Sequence, residues 1–351
     1  MNTLQARPSE MGGTREPNSN LLATARNFYA AGRIARAAEL LEQMHSARSQ
    51  HREVRRLLFA CYKDGGNISA MLDMARAFAE HPACSDEMVL AWSAWISVFD
   101  FAAAEKIQAE VMQAAQQGEL SPELLPALLL TANGLPDMHR EEIFALHRIW
   151  AKAQPRPADL DPSRFKVHGR IRIAYVSGDF CRHPVSYFIL PVIASHDRKR
   201  FEVFCYCNTR QPADDMTAAL RQTADHFIGI TGIDDAGLRD HMQRDGIHIA
   251  IDLAGHSANS RTAAFAIRLA PVQISWLGYP NTSGLDAMDF HISDRHAEDE
   301  EAGTIYAEKR LYMPSSFLCY GIIWDVRILE RPPCEKRGNI TFASFNNGRK
   351  L

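Results

Sequence analysis

Residues 170–188 read RIRIAYVSGDFCRHPVSYF. IRIAYVS (171–177) is a β-rich run that stops at Gly178-Asp179, and a helix is expected from about Val185 to His196. The pattern then repeats. FEVFCYC (201–207) predicts a second strand, followed by polar NTRQPADD and a helix over MTAALRQTADHF (216–227). A further helix, GLRDHMQRDG (237–246), precedes a third strand, IHIAIDLAG (247–255). TAAFAIRLA (262–270) reads as helix, VQISWLG (272–278) and MDFHISD (288–294) as strands. Strands alternating with helices mean βαβ units and a mostly parallel sheet with helices on both faces. Such a sheet binds ligands at the carboxyl ends of its strands.

The rest of the chain has a different period. Residues 20–117 are rich in Ala, Leu, Glu, Gln, Arg and Met, all strong helix formers, with Pro82 the one proline. Tyr29, Tyr62 and Trp95 are 33 residues apart, each followed at offset eight by Ala37, Ala70 and Ala103. That period belongs to paired-helix repeats of the tetratricopeptide type. An aromatic on one helix is expected to pack against the alanine of the next, with Gly32 and Gly65 in the turns between. Another step of 33 would put Pro136 in the alanine slot, so the array is expected to stop there. Such an array offers a partner-binding groove or serves as a spacer.

Composition narrows the classes. The 351 residues are 46% apolar and 23% charged, with a formal net charge of -3. These are ordinary globular values, against a strongly basic nucleic-acid binder and against extensive disorder. The apolar runs fall short of the ~20 residues of a membrane span. The first residues, MNTLQARPSEMGGTREPNSN, lack the apolar core of a secretory signal and read as a disordered leader. Seven scattered cysteines form no zinc or disulfide framework, which suits a reducing cytoplasm. Five segments are expected: a leader (1–19), helical repeats (20–117), a helical and Pro-rich transition (118–169), a parallel-sheet lobe (170–335) and the opening of another lobe (336–351). The D-x-D of Asp159 and Asp161 lies in the transition and reads as a solvated turn.

The loops expected after the strands carry the chemistry. SGDFCRHPVS, HSANSR and YPNTSG are small, polar and glycine-bearing, and set Asp179, His183, Asp252, His256 and Asn281 on one edge of the sheet. The chain has no G-x-G-x-x-G, G-x-S-x-G or Walker A, which disfavours a dinucleotide dehydrogenase. A sugar nucleotide fits better, because backbone N–H groups at a helix start can hold its diphosphate without metal.

At these residues the chain resembles the protein O-GlcNAc transferase family, in its bacterial tetratricopeptide, SPINDLY-like branch. RIRIAYVSGDFCRHPVSYF, RFEVFCY, DGIHIAIDLAGHS, LAPVQISWLGYPNTSG and ITFASFNN carry the resemblance. It implies helical repeats ahead of two Rossmann-like lobes of the GT-B type. It also implies metal-free, inverting transfer of GlcNAc from UDP-GlcNAc to Ser or Thr of protein acceptors, which the repeats would engage. The plant branch leaves fucose open as the sugar. Neither nucleic acid nor membrane is implied as a partner.

The resemblance also assigns residues. His183 matches the histidine of the family's His-Pro motif beside the reacting sugar, a candidate base; its other reading is a helix cap with Pro184 at the first helical position. Lys350 matches the lysine that neutralises the leaving diphosphate, although Gly348-Arg349 departs from the pattern before it. Gly278 and Pro280 match a loop lining the sugar and phosphates, with Asn281 where glycine is common. Asn347 matches a polar contact to the donor. His256 is taken as a donor contact, with a structural role equally open for it and for Asp252. Most of the uridine-binding lobe is expected to lie outside these residues. The alternative is a non-catalytic repeat scaffold carrying a remnant transferase lobe.

Overall fold

The computed structural model describes residues 17–47, 51–135, 138–157, 159–167, 169–298, 305–321, 327 and 330–343. The chain divides into two compact units, Met1–Ala114 and Ala115–Leu351. The expected leader up to residue 16 lies outside the described residues, and the first helix already begins at Pro17.

Helices pair through the first unit, α1 (Pro17–Ala30) with α2 (Ile34–Ala47) and α3 (Arg52–Asp64) with α4 (Ile68–Glu80), and α5 (Ser85–Ser97) and α6 (Phe101–Gln116) follow. Each first helix ends in a left-handed residue: Gly32 (φ 73°), Gly66 (φ 72°) and Phe99 (φ 64°). The next amide reaches back to Phe28, Tyr62 and Trp95 respectively, at 2.8, 2.9 and 2.9 Å. This is the six-to-one bond of a Schellman cap.

The caps correct the repeat register. Phe28, not Tyr29, is equivalent to Tyr62 and Trp95, because the first repeat is one residue longer. The small or flexible residue of the second helix then falls at Ala37, Met71 and Ala104, at most 2% exposed. Ala70 and Ala103 are only half-buried. Nor are the tyrosines core residues. Half-buried Tyr29 donates to Asp64 at 2.5 Å and Tyr62 to Glu42 at 2.9 Å. Gly65 (φ -81°) is not needed for its dihedral. A Cβ there would meet the Cys61 carbonyl at 2.8 Å and Ile34 at 3.3 Å.

The second unit opens with α7 (Leu125–Ala132) and α8 (Arg140–Lys152). Asp161 caps a single 3-10 turn, accepting from the Ser163 amide at 3.0 Å, so the D-x-D is indeed turn chemistry. Among the described residues seven parallel strands follow: β1 (Ile171–Ser177), β2 (Phe201–Cys207), β3 (His226–Gly229), β4 (Ile249–Asp252), β5 (Val272–Ser275), β6 (Phe290–Asp294) and β7 (Lys309–Met313). Their order is β3-β2-β1-β4-β5-β6-β7, and each neighbouring pair is parallel. Between them run α9 (Pro184–Ser195), α10 (Asp215–Thr223), α11 (Asp235–Arg244) and the one-turn α12 (Thr262–Phe265).

Register explains the layers. Tyr175 lies beside Cys205 and Ile251, and Ile251 beside Ile274. This row packs against Val185, Ile189 and Ile193 of α9 and Met216 and Leu220 of α10. The alternate row faces the other layer: Tyr206 donates to Asp245 after α11 at 2.5 Å, and Gln273 to the Phe265 carbonyl of α12 at 2.9 Å.

Three expectations change. The helix expected over 216–227 ends at Thr223, and β3 takes up HFIG, because Ala224 turns extended (ψ 153°). TAAFAIRLA is helical for four residues only, stopped before Arg268 at φ 63°. Strand β7, which the sequence reading missed, extends the sheet by one edge.

Candidate functional site

The order β3-β2-β1-β4-β5-β6 reverses direction between β1 and β4, the topological switch point where such folds bind ligands. Here the loop after β4 lies across it. A Cβ on Gly178, just past β1, would stand 2.6 Å from the Asn259 carbonyl oxygen. Asn259 is itself left-handed (φ 57°) and its carbonyl accepts from Asn208 at 2.9 Å.

The loops converge on Gly278, after β5. A Cβ there would come 1.9 Å from the Leu253 carbonyl oxygen and 3.4 Å from the Val185 side chain. Only glycine lets the loop after β5 come this close to the loop after β4, beside the first turn of α9 into which the loop after β1 leads. The preceding residue, Leu277, has φ 75°, and the Gly278 amide bonds back to the Trp276 carbonyl at 3.0 Å. An i to i+2 bond around a left-handed residue is the strained form of the γ-turn. For a leucine it costs on the order of 1–3 kcal/mol and persists only where surrounding contacts over-determine it. A small hollow opens beside this loop, walled by Asp252, Gly255, Ser275, Tyr279, Asn281 and Ser283.

His183 caps α9. Its Nδ1 accepts from the Val185 amide at 3.3 Å, with Pro184 first in the helix. The Asp179 carboxylate stands 3.7 Å from the same nitrogen, and burial pushes the Asp179 carboxyl up from the ordinary range. With Nδ1 accepting, the neutral ring carries its proton on Nε2. It is therefore a donor at Nε2. The loop is pinned from outside: the Arg182 amide donates to Asp214 at 2.7 Å, and its guanidinium grips Asp215 at 2.6 and 2.7 Å.

His256 and Asp252 hold the loop after β4. Asp252 is wholly buried and accepts from the Ala254 and Gly255 amides and the Thr262 hydroxyl, at 3.0, 3.2 and 2.5 Å. Burial nevertheless lifts its pKa to about 6. His256 is 2% exposed, and its Nε2 lies 3.0 Å from the Ser283 carbonyl. A carbonyl only accepts, so Nε2 holds the proton and the ring is neutral. Burial, with His147 nearby, holds its pKa down at about 3. Its ring packs on Trp150, His147 and Tyr279, with centroids 4.3, 5.1 and 5.1 Å away.

Thus the structure brings His183, Gly278 and Pro280 to one side of the sheet, Pro280 exposed, and sets His256 behind the loop that bears them. Asn347 and Lys350 lie outside the described residues. The sequence reading missed Glu308, whose buried carboxylate accepts from the Thr282 hydroxyl at 2.5 Å, the Ser283 amide at 2.7 Å and the Ser283 hydroxyl. It missed Asn133, His147 and Tyr279 as well. No motif marks Glu308, Asn133 or His147, and YPNTSG does not single out Tyr279, because their partners come from distant segments. Among the described residues, no three His, Cys, Asp or Glu side chains gather as metal ligands.

A doubly wound parallel sheet with small polar loops at its switch point defines a nucleotide-binding type of lobe. The profile of glycosyl transferase family 41 matches residues 138–325, which spans α8, the sheet and all three loops. The chain belongs to that family.

A probable UDP-N-acetylglucosamine--peptide N-acetylglucosaminyltransferase SPINDLY of Solanum lycopersicum is 33% identical over 231 residues, covering 64% of this chain and 25% of the relative. The UDP-N-acetylglucosamine--peptide N-acetylglucosaminyltransferase of Caenorhabditis elegans is 38% identical over 157 residues, covering 44% of this chain and 14% of the relative. Among solved structures, a mutant O-GlcNAc transferase of Thermobaculum terrenum superposes with a TM-score of 0.70 at 27% identity, covering 86% of this chain and 58% of that one. This chain therefore spans at most about a quarter of these curated relatives. Among the described residues no helix is long and apolar enough to cross a membrane.

Proposed function

We propose that this chain supplies the acceptor-side lobe of a protein O-linked N-acetylglucosaminyltransferase, moving GlcNAc from UDP-GlcNAc to Ser or Thr hydroxyls in the cytoplasm. The family match carries the reading, because it covers the convergence of three loops on Gly278. In this reading Gly278 and Pro280 line the donor's sugar and phosphates, and His256 braces them from behind. His183 offers its Nε2–H to a donor oxygen, as its cap at Nδ1 requires. Lys350 and Asn347 serve the diphosphate and the donor's polar groups. No metal enters, since backbone N–H groups and a fixed ammonium can carry the diphosphate charge. The paired helices receive the protein acceptor.

The test is transfer of radiolabelled GlcNAc to protein, by the 351-residue chain and by the same chain joined to the second lobe of the Thermobaculum transferase. Label should enter protein in the joined form, survive chelator, and fall at least tenfold in His183→Ala. No incorporation from UDP-GlcNAc by the joined protein would refute the reading; incorporation from GDP-fucose instead would correct the sugar.

A further inference from the structure

The loop after β5 is held by a polar chain that begins on the helices before the sheet. His147, on α8, is fully buried. Its Nδ1 lies 2.7 Å from the Ile143 carbonyl, which can only accept, so Nδ1 carries the proton. Nε2 is therefore an acceptor, and the Tyr279 hydroxyl 2.8 Å away must donate to it. That leaves the hydroxyl's lone pairs for the Asn133 amide, which donates at 2.6 Å. Asn133 gives its other N–H to the Leu129 carbonyl at 2.8 Å and accepts from Asn281 at 2.7 Å. Asn281 closes the chain, accepting from the Thr282 amide at 2.7 Å. Each bond fixes the direction of the next, and each named donor has an acceptor.

This chain ends on the two residues flanking Pro280, within four positions of the strained turn at Leu277. Loop and helices share no sequence neighbourhood: Asn133 and Tyr279 are 146 residues apart, His147 and Tyr279 132. Gly255 packs closely on Tyr279, where a Cβ would come within 2.2 Å of its side chain.

We infer that Asn133, His147 and Tyr279 are positioning residues: they hold the 278–284 loop, and with it the strained turn at Leu277 that leads into it, in the shape that receives the donor. This inference rests on the proposed function for what the loop receives, but not for what holds it. Asn281 then acts by holding the loop rather than by contacting the donor, since its Oδ1 and one N–H are used within the chain.

The experiment compares Tyr279→Phe, His147→Leu and His147→Gln with wild type. Phenylalanine removes the Tyr279 hydroxyl and leucine both ring nitrogens of His147, so each breaks the chain. Glutamine keeps an acceptor near the place of Nε2. Amide hydrogen exchange across 278–284, measured on the 351-residue chain without donor, should quicken roughly tenfold in the first two and stay near wild type in His147→Gln. In the protein joined to a second lobe, the first two should raise the KM for UDP-GlcNAc roughly tenfold with kcat little changed, as expected for lost uniform binding. A merely structural role would move thermal stability and leave KM where it was. Unchanged exchange in Tyr279→Phe and His147→Leu overturns the inference. So does faster exchange with an unchanged KM. If the wild type transfers no sugar, the proposed function falls alone, and the exchange result decides whether these residues hold the loop.

Discussion

Gly278→Ala is the sharpest perturbation of the site. The new Cβ would stand 1.9 Å from the Leu253 carbonyl oxygen and 2.9 Å from its carbon. Reaching even 3.0 Å from that oxygen requires a shift of about 1 Å, and real Cβ atoms essentially never come closer. Leu253 cannot retreat, because its amide is bonded to the Val176 carbonyl of β1 at 3.0 Å. The 278 backbone cannot retreat cheaply either, since its amide closes the γ-turn at Leu277. The clash is backbone against Cβ with no flexible side chain to yield. The cost should therefore reach about 3 kcal/mol, the upper part of the overpacking range. Gly232→Ala is the control without a clash: its φ of 82° is left-handed, which that of Gly278 is not, and nothing lies within 4 Å. Only the left-handed penalty of roughly 1–2 kcal/mol applies. The assay is native-state hydrogen exchange at amides of β4 and β5, which reports the second unit alone. Exchange should quicken roughly a hundredfold in Gly278→Ala and about tenfold in Gly232→Ala. Equal effects, or a Gly278→Ala protein as protected as wild type, would refute the close approach of the three loops.

Acid should weaken the second unit through its buried imidazoles. His147 and His256 are held by burial at about 4 and about 3, against 6.5 for a free histidine, so between those values the unfolded chain takes up protons that the folded one refuses. Asp252, lifted to about 6, opposes this by binding a proton in the folded state from pH 6 down to about 4. For these three groups the net loss on acidification from pH 6 to 4 is one proton's slope, about 1.4 kcal/mol per pH unit. Urea midpoints across that range should show it, and His147→Gln should nearly cancel it. Glu308→Ala removes the acceptor of two hydroxyls and an amide in the 282–283 segment, and should cost about 3 kcal/mol by the same exchange measurement, with a loss under 1 kcal/mol showing the clasp to be dispensable. In the first unit, Ala104→Leu should overpack by roughly 1–3 kcal/mol while Ala103→Leu stays within about 0.5 kcal/mol. Reversal of that order in thermal melts would restore the register read from sequence spacing.

Much of the fold was legible because its signals are local. The 171–177 and 201–207 runs became β1 and β2 within their expected bounds, since a buried parallel strand needs a continuous apolar, β-rich run. Helix α9 was legible from its cap and proline, and the reading of His183 as a cap needed only the neighbouring Pro184. The helical period of the first unit was visible as well, but its register was not. The spacing of like residues matched Tyr29 to Tyr62, whereas the left-handed residues at Gly32, Gly66 and Phe99 matched Phe28. Phe99 carries no sequence sign of its conformation. The edge strand β7 and the four-residue β3 were missed because short strands take their shape from the neighbour they pair with.

What the sequence determined by itself, then, was the longer elements and their alternation, the edge of the sheet that carries the polar loops, and the family to which those loops belong. These follow from propensity, periodicity and glycine placement, which act within a few residues. The tertiary structure alone decided how the loops are held. His147 has one tautomer because of the Ile143 carbonyl on its own helix, but its partner Tyr279 reaches it only after the sheet has formed. Glu308 finds Thr282 and Ser283 only when β7 has paired with β6. Gly278 is indispensable only because Leu253 arrives beside it. Hydrogen bonds and close contacts between distant segments leave no periodic trace in the chain, since their geometry is set by the packing of whole elements.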